Sequence, residues 1–193
     1  MPDGKRDLPV SGQMELKQLR REILYRGRVI DLIVDTVEYP GGATGIREIA
    51  HHPGGAVAVP LFEDGRVMLV RQLRYPFGRH IVEFPAGKLL PGEDPAVAAA
   101  RELTEETGWA AGKLEKLTAL CSTPGFCDEV LHLYLATELR QSPEGPRREQ
   151  GELTMTVLTL PMADAIAMAE HGEIEDAKTV AGLLLVARRC GIR

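Results

Sequence analysis

A chain of 193 residues with 44% apolar and 26% charged residues is long enough for an independent core and has a globular composition. Collagen-like, mucin-like and wholly disordered classes are thereby excluded. The formal net charge of −5 argues against a generic nucleic-acid coat, which needs an excess of basic residues, but not against a small anion held in a local basic pocket.

After a polar leader over 1–13, segments 21–25 and 29–39 read as strands broken by Arg26-Gly27, the second rich in β-branched residues. Pro40-Gly41-Gly42 signals a turn, 46–52 a further strand, and Pro53-Gly54-Gly55 a break. Segments 56–62 and 67–73 flank Glu63-Asp64-Gly65 and predict a hairpin, and 81–84 a short strand. The clearest helix begins at Asp94-Pro95 and stops before Gly108, with Asp as N-cap, Pro at the first helical position and Gly past the end. Segments 114–122 and 130–138 read as strands, 140–151 as a mobile surface loop, 153–160 as a last strand, and 162–171 and 177–189 as helices. Strands dominate the first half and helices close the end, which fits an α+β fold with a mixed sheet between helices. Residues up to His52 suggest a small N-terminal β subdomain.

The informative stretch runs from Gly87 to Gly108. On a helix over Pro95–Thr107 the residues Val97, Ala100, Leu103, Thr104 and Thr107 share one side, which is expected to pack on a sheet. Glu102, Glu105 and Glu106 fall in an arc of roughly 100° opposite. Carboxylates at this spacing repel one another. The repulsion becomes useful around a divalent cation such as Mg²⁺ or Mn²⁺, which prefers oxygen ligands and bridges to phosphates.

Gly87, Glu93, Arg101, Glu102, Leu103, Glu105, Glu106 and Gly108 match in register the signature of the Nudix hydrolases, which this sequence resembles. Trp109 stands where that signature has an aliphatic residue, which leaves the ligand set untouched. The resemblance implies a Nudix-type α/β/α sandwich and hydrolysis of a nucleoside diphosphate linked to some group X. It further implies Glu102 and Glu106 as the principal metal ligands, Glu105 as a further or supporting one, and the Ala86 carbonyl as another. Arg101 would orient the glutamates, and Glu93 would support the loop. The divisions expected are 1–13 as a disordered leader, 14–52 as the β subdomain and 53–193 as the hydrolase domain.

The flanks narrow the resemblance. Glu83-Phe84-Pro85-Ala86-Gly87, Arg71-Gln72-Leu73-Arg74, Arg47-Glu48-Ile49 and the loop Ser122–Glu129 resemble ADP-ribose and nucleoside diphosphate sugar pyrophosphatases. This implies cleavage of ADP-ribose to AMP and ribose 5-phosphate, with GDP-mannose or another nucleoside diphosphate sugar as the rival substrate. A non-catalytic ADP-ribose sensor is the rival of another class. Arg47 and Arg74 suit phosphates or the terminal sugar, because a guanidinium makes paired bonds to phosphate oxygens. Arg71 has a weaker claim because it belongs to the opposite face of its strand. Glu83 suits a sugar hydroxyl or the metal's surroundings, and Phe126 and Glu129 the sugar end of the cleft. Tyr25 and Arg28 resemble residues that a partner subunit contributes around the base, so a homodimer through the N-terminal strands is implied. In relatives a loop glutamate before the last strand activates water. Among Glu144, Glu149 and Glu152, register favours Glu152, with Glu149 second.

Cys121, Cys127 and Cys190 include no CxxC pair, so free thiols of a reducing compartment are expected rather than disulfides or a zinc ribbon. His51-His52 and His132 read as structural. The apolar runs, such as 181–187, are too short to span a bilayer, and the leader lacks a signal peptide's apolar segment. A cytoplasmic location without membrane or nucleic-acid partners is expected.

Overall fold

The computed structural model describes residues 16–191; the leader expected over 1–13 falls outside them. Contacts divide the chain into two compact units. One comprises the described residues through His52 together with Gly125–Cys127, and the other Pro53–Pro124 and Asp128 onward.

The first unit is an antiparallel sheet in the order β1 (Lys17–Arg26), β2 (Asp31–Glu38), β3 (Thr44–His51). Along β2, Ile33, Asp35 and Val37 are buried, the period of two that a pleated strand imposes. Asp35 tolerates this because Arg21, directly opposite on β1, binds both its oxygens at 2.8 and 2.7 Å. Gly125–Cys127 joins through the Ala50 N–H, which donates to the Phe126 carbonyl at 2.8 Å.

The second unit holds two sheets. The mixed one is ordered β7–β4–β9–β8, with β4 at Gly55–Pro60, β7 at Ala86–Lys88, β8 at Trp109–Cys121 and β9 at Val130–Gln141. Strand β4 runs parallel to β9 and antiparallel to β7. The other sheet is antiparallel, β10 (Thr156–Pro161), β5 (Arg66–Arg74), β6 (Arg79–Glu83). All six residues of β4 are buried, as in a strand covered on both faces, and side-chain size alternates with the face. Ala56 and Ala58 admit helix α1 (Pro95–Thr107) through Ala98, Ala99 and Leu103. Val57 and Val59 face the main core with Phe84, Leu133, Met162 and Leu183, the last two from helices α2 (Met162–Glu170) and α3 (Ala177–Cys190). Gly182 lets α3 come close, since a Cβ there would meet the Phe84 ring at 2.9 Å.

Three expectations are corrected. The predicted hairpin around Glu63-Asp64-Gly65 is a tight turn, closed by the Gly65 N–H on the Phe62 carbonyl at 3.0 Å, but its arms pair only through Leu61 and Val67. They then part into different sheets, because β7 and β9 occupy both edges of β4, and β10 and β6 both edges of β5. Strand β8 starts at Trp109 rather than 114, directly after Gly108 turns the chain with φ 77°; Ala110-Ala111-Gly112 carries little strand preference. The region expected as loop over 140–151 is shortened at its start, where β9 runs to Gln141, and a 3₁₀ turn forms at Gln150–Glu152. Strand β10 accordingly begins at Thr156.

Candidate active site

Helix α1 is capped as its sequence dictates. The Asp94 carboxylate accepts from the Ala96 N–H at 2.7 Å, and Gly108 closes the other end on the Thr104 carbonyl. Its buried side differs from the one read from periodicity. Ala98, Ala99, Glu102, Leu103, Glu106 and Thr107 are buried, whereas Val97 is 59% exposed. Two of the three glutamates therefore belong to the packed face rather than opposite it: Glu106 is 1% and Glu102 9% exposed, and Glu105 is half-buried. Close approach to β4 selects small side chains, so Ala98 and Ala99, one position along from the face that spacing predicts, mark the contact beside Leu103.

Arg101 and Glu93 bracket this face. The Arg101 Nε and Nη2 donate to the two Glu93 oxygens at 2.9 and 3.0 Å, and Nη1 donates to Glu102 at 2.6 Å and Glu105 at 3.1 Å. Glu93 also accepts from the Leu90 N–H at 2.9 Å, which ties the loop to the helix. Strand β7 supplies the opposite wall. The Ala86 N–H donates to Glu106 Oε2 at 3.3 Å, and a Cβ at Gly87 would overlap the Glu102 carboxylate, so the glycine leaves that carboxylate its place. Burial, reinforced by the charges of Glu102 and Glu152, pushes Glu106 up to about 9. Burial also raises Glu102, although Arg101 opposes it. Among the described residues no three acidic or metal-binding side chains are closed around one point; Arg101 instead draws Glu102 and Glu105 to itself. Buried carboxylates raised by burial and by neighbouring negative charge, beside a main-chain strand, form an oxygen donor set suited to a hard divalent cation.

The segment between β9 and β10 docks on the end of α1 and satisfies carbonyls that a helix C-terminus leaves open. The Ser142 N–H donates to the Gly108 carbonyl at 2.8 Å and the Arg147 N–H to the Glu105 carbonyl at 2.8 Å. The Arg148 side chain bridges the Glu106 carbonyl, at 2.9 Å from Nε, and the Met155 carbonyl, at 2.6 Å from Nη1. Between them, the Glu149 N–H donates to the Glu152 carboxylate at 3.0 Å. The Glu152 charge is felt by both Glu102 and Glu106; Glu149 is exposed.

A second ionic group joins β5, β6 and α3. Glu83, 2% exposed, receives Arg74 on both oxygens at 2.6 and 2.7 Å and Lys178 at 2.6 Å. Burial pushes its carboxyl up, but these two cations outweigh it and hold it below its ordinary value. Asp176 accepts from Lys178 at 2.9 Å and from the Thr179 N–H at 2.9 Å, while the Phe84 N–H donates to the Thr179 hydroxyl at 2.8 Å. Arg71, three residues before Arg74, projects from the other face of β5, as strand alternation requires. The Ser122 N–H donates to the Glu129 carbonyl at 3.2 Å, which closes the loop between β8 and β9.

Within the first unit, Arg47 donates to the Ile46 carbonyl at 2.9 Å and the Tyr39 hydroxyl at 2.6 Å. Tyr25 and Phe126 are 60% and 59% exposed, and Arg28 is exposed as well. All three cysteines are free; Cys121 and Cys190 are exposed and Cys127 is half-buried. His132 is packed on β9 with its Nδ1 buried and unpartnered among the described residues. Lys178 and Arg148 were not singled out by the sequence. The Asp176-to-Thr179 spacing of a helix cap gave a signal for the first; nothing in a charged loop distinguished the second from Arg147.

The NUDIX domain model matches residues 51–182. An ADP-ribose pyrophosphatase of Bacillus subtilis (strain 168) is 43% identical over 86% of this chain and 89% of its own length. An ADP-ribose pyrophosphatase of Mycobacterium tuberculosis is 37% identical over 89% of this chain and 83% of its own. A GDP-mannose pyrophosphatase of Cronobacter sakazakii is 35% identical over 69% and 73%. A crystal structure of an ADP compounds hydrolase superposes with a TM-score of 0.80 over 94% of this chain and 99% of that one at 22% identity, which establishes the likeness of fold. Among the described residues no helix is long and apolar enough to cross a membrane.

Proposed function

The chain belongs to the Nudix hydrolase family, and from that premise we propose that it hydrolyses the diphosphate of ADP-ribose to AMP and ribose 5-phosphate with Mg²⁺ or Mn²⁺. The observation that carries the reading is the buried pair Glu102 and Glu106 facing the main chain of β7. Glu102, Glu106 and the Ala86 carbonyl would hold the ion, with Glu105 as a further donor. A bound divalent cation supplies charge neutralisation of the diphosphate and lowers the pKa of water. Arg101 and Glu93 keep the glutamates in place. Glu152 serves as general base, being the loop carboxylate whose charge reaches Glu102 and Glu106; Glu149 orients it through its N–H. Arg74, held by Glu83 with one guanidinium nitrogen outside that pair, takes a phosphate oxygen. Arg71, Arg47, Phe126 and Glu129 are assigned to the sugar and phosphate ends, and Tyr25 and Arg28 to the base.

The substrate reading draws on the two relatives named ADP-ribose pyrophosphatase, at 43% and 37% identity. A homodimer is supported by the exposed apolar residues Leu19, Ile23, Leu24, Leu32 and Ile46 on the N-terminal strands. Residues 14–52 are read as a β subdomain and 53–193 as the hydrolase domain of a cytoplasmic enzyme acting on a free small molecule. The test is release of nucleoside monophosphate from a panel of nucleoside diphosphate sugars in Mg²⁺. ADP-ribose is expected to turn over fastest. Faster turnover of GDP-mannose overturns the substrate, and tight binding of ADP-ribose without turnover of any compound overturns the enzyme reading in favour of a sensor.

A further inference from the structure

The turn that carries Glu152 is stiff in itself. The Glu152 N–H donates to the Glu149 carbonyl at 2.9 Å, the Met155 N–H to the Glu152 carbonyl at 2.8 Å, and the Glu149 N–H to the Glu152 carboxylate at 3.0 Å. Those bonds are internal and do not place the turn against α1. Its attachment runs through residues 147 and 148. Arg148 is the telling one, because its guanidinium grips the Glu106 carbonyl with one nitrogen and the Met155 carbonyl, at the far end of the turn, with another. Met155 is 2% exposed, so the far grip is on a buried point of the main chain. The near grip is on the very residue whose side chain is the most buried of the α1 glutamates. A cation at that place also suits the C-terminal end of the helix.

We propose that Arg148 is a positioning residue that clamps the turn onto α1 and so sets the Glu152 carboxylate against Glu102 and Glu106. The proposal rests on Glu152 being the general base. The planar fork of arginine is needed, because an ammonium group presents its donors from a single nitrogen and does not span two separated carbonyls.

The test compares the full chain with Arg148→Met, Arg148→Lys, Glu152→Gln and the Arg148→Met/Glu152→Gln double variant at saturating Mg²⁺ and varied ADP-ribose. Glu152→Gln is expected to lower kcat by about 100-fold or more. Arg148→Met is expected to lower kcat about 30-fold with KM changed less than about threefold, and Arg148→Lys to recover only part of the loss. In the double variant the loss should stay within about twofold of Glu152→Gln alone, because a residue that acts through Glu152 has nothing left to position. Amide hydrogen exchange at Arg147, whose N–H holds the Glu105 carbonyl of α1, should quicken in Arg148→Met while the first turns of α1 keep their protection. Losses that multiply in the double variant overturn the proposal, since Arg148 then acts elsewhere. An unchanged kcat in Arg148→Met, with Glu152→Gln strongly impaired, overturns the clamp and leaves the base standing. An unimpaired Glu152→Gln overturns the base and the clamp together. Should Arg148→Met not fold, Arg148→Lys decides: wild-type kcat and wild-type exchange reject the clamp.

Discussion

The three glutamates of α1 differ in what surrounds them, and that difference ranks their contributions. Glu106 is 1% exposed and meets the Ala86 N–H, whereas Glu105 is half-buried and shares Arg101 with Glu102. Removing the charge of Glu106 takes away the most buried of the proposed metal ligands. Glu106→Gln is therefore expected to lower kcat by about 100-fold or more, the order associated with losing a preorganised charge-stabilising group. Glu105→Gln should cost about tenfold. Steady-state rates at several Mg²⁺ concentrations, alongside calorimetric Mn²⁺ titration, check the ranking; equal losses for the two would contradict it. The spacing of these residues was legible in the sequence because it is a property of the chain. Their burial was not, because Ala98 and Ala99 define the contact by being small and so leave no apolar signal. Arg148 was illegible for a related reason: its partners are two main-chain carbonyls, which any sequence possesses.

Helix α1 and strand β7 form the walls of the proposed site, and Gly87 sets the gap between them. A Cβ at that position would overlap the Glu102 carboxylate, which is the movable end of a side chain. The backbone need not shift. Gly87→Ala is accordingly expected to fold with a melting temperature within about 3 °C of wild type, since no buried apolar contact is lost. Its Glu102 carboxylate is displaced, and divalent-ion affinity should fall at least about tenfold. Thermal unfolding and Mn²⁺ titration of the same sample separate the two effects; a large loss of stability with intact affinity would refute the argument. At this scale the helix was read well, since Asp94, Pro95 and Gly108 are local signals. Strands β4 and β5 were found but wrongly joined. Both are continuous apolar runs, and such a run does not announce which strand lies on either edge. The three-residue β7 escaped notice because Ala86-Gly87-Lys88 has no strand pattern at all.

Across the whole molecule the two most deeply buried carboxylates among the described residues, Glu83 and Glu106, pull stability in opposite directions with pH. Glu83 lies between Arg74 and Lys178, and these hold its carboxyl below the ordinary value against the effect of burial. In the acid range the unfolded chain binds more protons at this site, so its contribution is present above the ordinary carboxylate pKa and is lost as pH falls. Glu106, pushed up to about 9 chiefly by burial, has the reverse sign. Between its ordinary value of 4.5 and about 9 the folded chain holds a proton that the unfolded chain releases, so stability declines as pH rises through that window. In the presence of a chelator, the melting temperature is therefore expected to be highest in the weakly acidic range and to fall on both sides. Glu106→Gln should flatten the alkaline limb. Lys178→Met should lower stability by about 3 kcal/mol near neutral pH, because a buried carboxylate loses one of its two cations. It should also weaken the acid limb, since Glu83 would then titrate nearer its ordinary value. Saturating Mg²⁺ should lift the alkaline limb of the wild type, because ion binding favours the deprotonated carboxylates. Melting curves from pH 4 to pH 9.5, with chelator and with Mg²⁺, provide the measurement. An alkaline limb that survives Glu106→Gln unchanged would place the raised carboxyl elsewhere. A Lys178→Met variant as stable as wild type would remove the Glu83 group as the tie between α3 and the β5–β6 pair.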